Sequence, residues 1–120
     1  MAAKQVFLEM GTGNDLHGGD YTKAAVRAIE DATHHSSLTL LQTLGINPNA
    51  MHVDVHIGVQ KPDQVNHEAI KAALPHGVIT VSVVKGGLDI SEEGRNDATV
   101  IASAAIAVRL DLSNISQAPA

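Results

Sequence analysis

The sequence predicts an α+β fold, a two-layer sandwich with helices on one face of a mixed four-stranded sheet. Three observations carry that expectation. Residues 51–59 alternate apolar and polar side chains almost without fault, and residues 98–112 do so with one wholly apolar face. Ala25, Ala28, Ile29 and Ala32 recur at helical spacing. With a further strand before and after and a second helical stretch between, the order is β-α-β-α-β-β. The 120 residues make a single domain, enough for one core and too few for a second.

Residues 4–10 form the first strand, Val6, Leu8 and Met10 facing one way and Gln5, Phe7 and Glu9 the other. A glycine-rich loop follows, and Asp20 or Thr22 caps the first helix. Ser36 or Ser37 would cap a short helical stretch over 38–44, which Gly45 ends and Pro48 keeps from resuming. In residues 51–59, Met51, Val53, Val55, Ile57 and Val59 face the core, leaving His52, Asp54, His56 and Gly58 opposite. Residues 66–74 are helical until Pro75, residues 78–84 are a β-branched strand, 86–96 a polar loop, and 98–112 the last strand. The sheet face without helices then carries Gln5, Phe7 and Glu9, the His52 row, Ile79, Val81 and Val83 or their alternates, and Ser103, Ala105 and Ala107. A face so small and apolar is expected to be a subunit interface.

Composition excludes several function classes. Aromatic residues make up 2% of the chain and the net charge is -5, so there is neither the basic footprint nor the stacking platform that nucleic acid needs. With no cysteine, disulfide and thiolate chemistry are absent. No apolar run approaches the length of a membrane span, and the first residues enter a strand rather than a signal peptide, so we expect no membrane partner and a cytoplasmic location.

Chemistry concentrates in residues 9–23, where Gly11, Gly13, Gly18 and Gly19 are interleaved with Asp15, His17 and Asp20, between Glu9 and Lys23. Glycine lets backbone approach a ligand closely, and loops at strand ends commonly carry function. The stretch fails both the dinucleotide fingerprint and the P-loop, and no cofactor is expected. It reads as an acid/base site of His17 with Asp15 or Asp20, as a metal site of the same three residues, or as a loop whose carboxylates only cap the helix. The capping reading leaves His17 unexplained, which favours the acid/base site. Lys23 could reach Asp15 or a bound anion, while Arg27 would pair with Glu30 or Asp31 on the surface. If the first and third strands are neighbours, Lys85, Gly86 and Gly87 converge on the same pocket, with Arg95 and Asn96 closing it. His52, Asp54 and His56 form an alternative metal row, strained because the two imidazoles stand roughly 14 Å apart along the strand.

Residues 9–28, Glu9-Met-Gly11-Thr-Gly13-Asn-Asp15-Leu-His17-Gly18-Gly-Asp20-Tyr-Thr22-Lys23-Ala-Ala-Val-Arg27-Ala, resemble a family of short bacterial proteins of unassigned function with the signature E-M-G-x-G-x-D-L-H-G-x-D-x-T-K-A-A-x-R-A. Val83-Val-Lys85-Gly86-Gly87-Leu matches the same pattern. The element order is also similar to the chorismate-mutase-like fold of trimeric deaminase-type proteins and of ring-opening amidohydrolases that act on cyanuric or barbituric acid. That resemblance implies a trimer. It also implies Ser and Lys chemistry on a cyclic amide, for which Lys61 ends a comparable strand and Ser91 or Ser103 supplies a hydroxyl.

The function expected is an enzyme acting on a small cyclic or carbonyl compound at a subunit-interface pocket, with His17 as acid or base, Asp15 or Asp20 orienting it, and Lys23 or Lys85 holding an oxygen. Histidine suits the role because its titration lies near neutrality. The alternative is a homo-oligomer that binds a ligand or metal without catalysis.

Overall fold

In the computed structural model, residues 3–34, 40–41, 43–74, 77–91, 94 and 98–111 are described. The elements are β1 (Lys4–Asp15), α1 (Tyr21–Thr33), β2 (Met51–Val59), α2 (His67–Ala72), β3 (Val78–Lys85), β4 (Leu88–Ser91) and β5 (Ala98–Leu110), with 3-10 turns at Pro48–Ala50 and Pro62–Gln64. Of the helical stretch expected over 38–44, residues 40, 41 and 43 are helical, and its proposed caps lie outside the described residues. No helix among the described residues is long and apolar enough to cross a membrane.

The α+β expectation holds, with five strands rather than four among the described residues. The main order is β1-β5-β2-β3, antiparallel on both sides of β5 and parallel between β2 and β3. The additional strand, β4, falls in the stretch expected to be a polar loop. β5 pairs with β2 from Leu110 to Ser103 and with β4 from Ile101 to Ala98, so β4 continues the lane that β2 vacates. To reach it the chain crosses the end of β2 at Gly86 and Gly87. A side chain at Gly87 would lie 2.1 Å from the Ile101 carbonyl oxygen, and its φ of +62° is one that side chains resist. Gln60 Nε2 donates to the Gly86 and Gly87 carbonyls, each at 3.1 Å, and fixes the crossing.

Both helices lie on one face and share a single core in which Ile29, Met51, Ile57, Ile70 and Ile106 are fully buried. Asp20 caps α1 by accepting the Lys23 amide at 3.1 Å, and Asn66 caps α2 by accepting the Glu68 amide at 3.0 Å. The Thr22 hydroxyl accepts the Asn66 amide at 2.9 Å, joining the two helix starts.

β1 departs from expectation in length and in facing. It runs on to Asp15, so Gly11 and Gly13 lie in the strand and not in the loop. A Cβ at Gly13 would stand 2.2 Å from the Ala28 nitrogen, and one at Gly11 2.4 Å from the Ala32 nitrogen. Helix α1 therefore rests on bare strand backbone, and the residues in phase with those glycines, Phe7 and Glu9, turn to the helix side. Register agrees: Phe7 opposes Val108 and Glu9 opposes Ile106, whereas Leu8 and Met10 oppose Ala107 and Ala105 on the open face. On β3 the alternates face outward, because Ile79, Val81 and Val83 oppose Val53, Val55 and Ile57.

β1 is also a sheet edge, with backbone groups exposed to unwanted pairing. Helix α1 covers it: Asp31 Oδ2 accepts the Thr12 amide at 2.9 Å and Arg27 Nη1 donates to the Asn14 carbonyl at 2.7 Å. These two side chains are one helical turn apart and act as a clip along the strand.

Candidate functional site

Strand parity turns Asp15, the last residue of β1, toward the helix, where it is buried. Its Oδ2 accepts the Asp20 amide at 3.0 Å, closing residues 16–19 into a tight loop. Gly19 makes the turn at φ +61°, and a Cβ at Gly18 would meet Asp15 Oδ2 at 2.7 Å. The Thr99 hydroxyl donates to the Leu16 carbonyl at 3.1 Å and ties the loop to β5.

Lys23 and Arg27, one turn apart on α1, both overhang this carboxylate. Lys23 Nζ lies 3.9 Å and Arg27 Nη1 3.7 Å from Asp15 Oδ1, and both cations are about half exposed. The Asp20 amide is the main reason that the Asp15 carboxyl is held below its ordinary range. Burial opposes it, while the Lys23 and Arg27 charges and the Gly18 amide assist. Asp15, Leu16, His17, Gly18, Asp20, Lys23 and Arg27 together line an open cleft of about 460 Å³. His17 is exposed at this cleft.

The structure thus brings together Asp15, His17, Gly18, Asp20 and Lys23 of the expected site, and adds Arg27. Surface pairing of Arg27 with Glu30 or Asp31 gives way to the Asn14 carbonyl and Asp15, because the overhang of α1 across β1 brings those groups within reach. The spacing from Lys23 was the signal for it.

The other candidates lie elsewhere. Glu9 is half-buried in mid-strand, six residues before Asp15 and so roughly 20 Å from it along the strand. Gly11 and Gly13 serve helix packing. Lys85, Gly86 and Gly87 do not converge on the loop, because β1 and β3 are opposite edges of the sheet, with two strands between them. Arg95 lies outside the described residues.

His52, Asp54 and His56 share the open face as expected, but Asp54 is engaged by Arg109, whose Nε donates to Oδ2 at 2.6 Å and Nη2 to Oδ1 at 3.3 Å. Among the described residues no group of three His, Cys, Asp or Glu side chains is placed to hold a metal ion. Sequence reasoning did not find the tie between the Tyr21 hydroxyl and the Asp89 carboxylate, which joins the start of α1 to β4. Burial first, then the Asp89 hydrogen bond and charge, push the Tyr21 phenol up to about 12.

A second hollow, of about 590 Å³, lies on the open face, with Ser103, Ala105 and Gly58 in its floor and Met10, His56 and Val84 around it.

A crystal structure at 1.22 Å resolution of an FtsZ-like protein of unknown function from Nostoc punctiforme PCC 73102 is similar to this chain, with a TM-score of 0.80 and 36% sequence identity. The likeness covers 92% of this chain and 98% of that one. None of the curated proteins matches. A family model described as "Conserved hypothetical protein (Lin0512_fam)" matches residues 5–108.

Proposed function

The chain belongs to the Lin0512_fam family of conserved hypothetical proteins, and we propose that it binds a small molecule bearing a carbonyl or carboxylate oxygen in the cleft after β1 and moves a proton on it. The observation that carries this reading is the convergence of His17 with two half-exposed cations, Lys23 and Arg27, over one buried carboxylate. The distances from the cations to Asp15 are long for ion pairs, which leaves their remaining N–H groups available to a ligand oxygen.

Each residue then has one task. Asp15 holds the loop and the two cations; a carboxylate with a lowered pKa is a weak base, so it does not take the proton. Asp20 caps the helix and sets its first turn. Lys23 and Arg27 bind the oxygen on which negative charge develops. His17 gives or takes the proton. These parts suit isomerisation of a small carbonyl compound, or its hydrolysis with water as the nucleophile, and in the ring-opening of a cyclic amide water would add to the carbonyl carbon while the ring nitrogen leaves with a proton.

Calorimetric titration with pyruvate and with barbituric acid tests the reading. Binding of either should be lost in Lys23→Ala, with the melting temperature nearly unchanged, since exposed pairs contribute about 0–1 kcal/mol. His17→Asn should retain binding and lose turnover. Failure of both probes to bind, or binding that survives Lys23→Ala, sinks the reading. A non-catalytic ligand-binding oligomer is the second reading, favoured by the exposed apolar residues of the open sheet face. It predicts binding without turnover in the wild type.

A further inference from the structure

We propose that the open face of the sheet is covered by a second copy of this chain, with Met10 and the Ser103–Ala105 hollow at the centre of the contact. This goes beyond the cleft reading and is independent of it, because none of Asp15, His17, Lys23 or Arg27 lines the face.

The face carries six exposed large apolar side chains, Leu8 and Met10 from β1, Val78 and Val84 from β3, and Leu88 and Ile90 from β4. Met10, at 73% exposed, is the most prominent. Between these ridges the floor sinks at Gly58, Ser103 and Ala105 into the 590 Å³ hollow. One face therefore holds both a flexible knob and a small-residue depression, the two halves of a self-complementary contact.

Size and charge agree with a second copy as the occupant. With strands about 4.8 Å apart and about 3.3 Å per residue, the face projects roughly 700 Å², close to the roughly 800 Å² that each partner buries in a standard interface. The ionisable side chains that the register places there are His52, Asp54, His56 and Arg109, and Asp54 is neutralised in place by Arg109. Among the described residues the one other ionisable side chain at the hollow is Asp31, which lines it from α1 while its carboxylate accepts the Thr12 amide, so the strand surface on which two copies meet carries little net charge. The β1 edge, by contrast, is blocked to strand pairing at Thr12 by Asp31 and at Asn14 by Arg27.

Light scattering on the purified chain tests the proposal. The wild type should have the mass of two or more protomers at micromolar concentration. Ala105→Arg and Met10→Lys should each fall to the 12.5 kDa mass of one chain while retaining a cooperative melt. Lys23→Ala should keep the wild-type mass. Peroxide labelling of the unmodified protein provides a readout that needs no variant: Met10 should resist oxidation as the buried Met51 does. A wild type that stays at one-chain mass, folded variants that keep the wild-type mass, or Met10 oxidised as fast as a free methionine each overturn the proposal.

Discussion

At Asp15 a single carboxylate joins the end of a strand, the start of a helix and two cations, and its ionisation should be visible in stability. Its folded pKa lies below the ordinary 3.8, so as pH falls the unfolded chain binds the proton first. The stabilisation is fully present above the ordinary Asp value and is lost as pH falls through the lowered folded value. Asp15→Asn should therefore melt below the wild type at neutrality, and the gap should narrow as pH falls below 3.8, as thermal scans across that range would show. Tyr21 moves the other way. Its phenol is raised from 10.0 to about 12, so the unfolded chain loses that proton first, and the contribution present below the ordinary value disappears as pH rises toward the folded one. As the chain has one Tyr and no Trp, ultraviolet absorbance reads this titration alone. In Asp89→Ala the midpoint should drop while staying above 10.0, since burial remains. Asp15, His17 and Lys23 stood out in the sequence because ionisable groups are rare between glycines. Arg27 and Asp89 did not, because their partners are 12 and 68 residues away.

The strand and helix that flank the cleft are joined by missing side chains. Gly13→Ala would drive a methyl carbon into the backbone of α1, where neither partner can yield, and should cost about 3 kcal/mol or more, measured by chemical denaturation. Gly19→Ala meets no neighbour and is strained only by its left-handed backbone, so it should cost about 1–2 kcal/mol. The two substitutions separate close packing from turn geometry. Glycine before a helix is ambiguous in sequence, since close approach of a ligand and close approach of a helix demand the same absence of Cβ. Gly11 and Gly13 consequently read as loop residues, although they lie in a strand.

Across the molecule β5, like the shorter β2 between it and β3, is paired on both sides along its length, with β1 on one flank and β2 followed by β4 on the other. Its amides should exchange with solvent slowest, through global unfolding, while those of the edge strand β3 exchange by local opening, a difference that hydrogen exchange followed by NMR would resolve. By itself the sequence determined the α+β class, the start of β1, the positions of β2, β3, β5 and both helices, the inward faces of β2 and β5, and the loop in which Asp15, His17, Asp20 and Lys23 meet. Each of these depends on local periodicity, capping or composition, which neighbouring residues specify among themselves. Only the tertiary structure decided the facing of β1, the lane taken by β4, the separation of the two glycine clusters and the recruitment of Arg27. A period of two says that a strand has two faces. Which one meets the helix depends on where α1 finds bare backbone at Gly11 and Gly13 to rest on, and strand order depends on pairings between residues far apart in the chain.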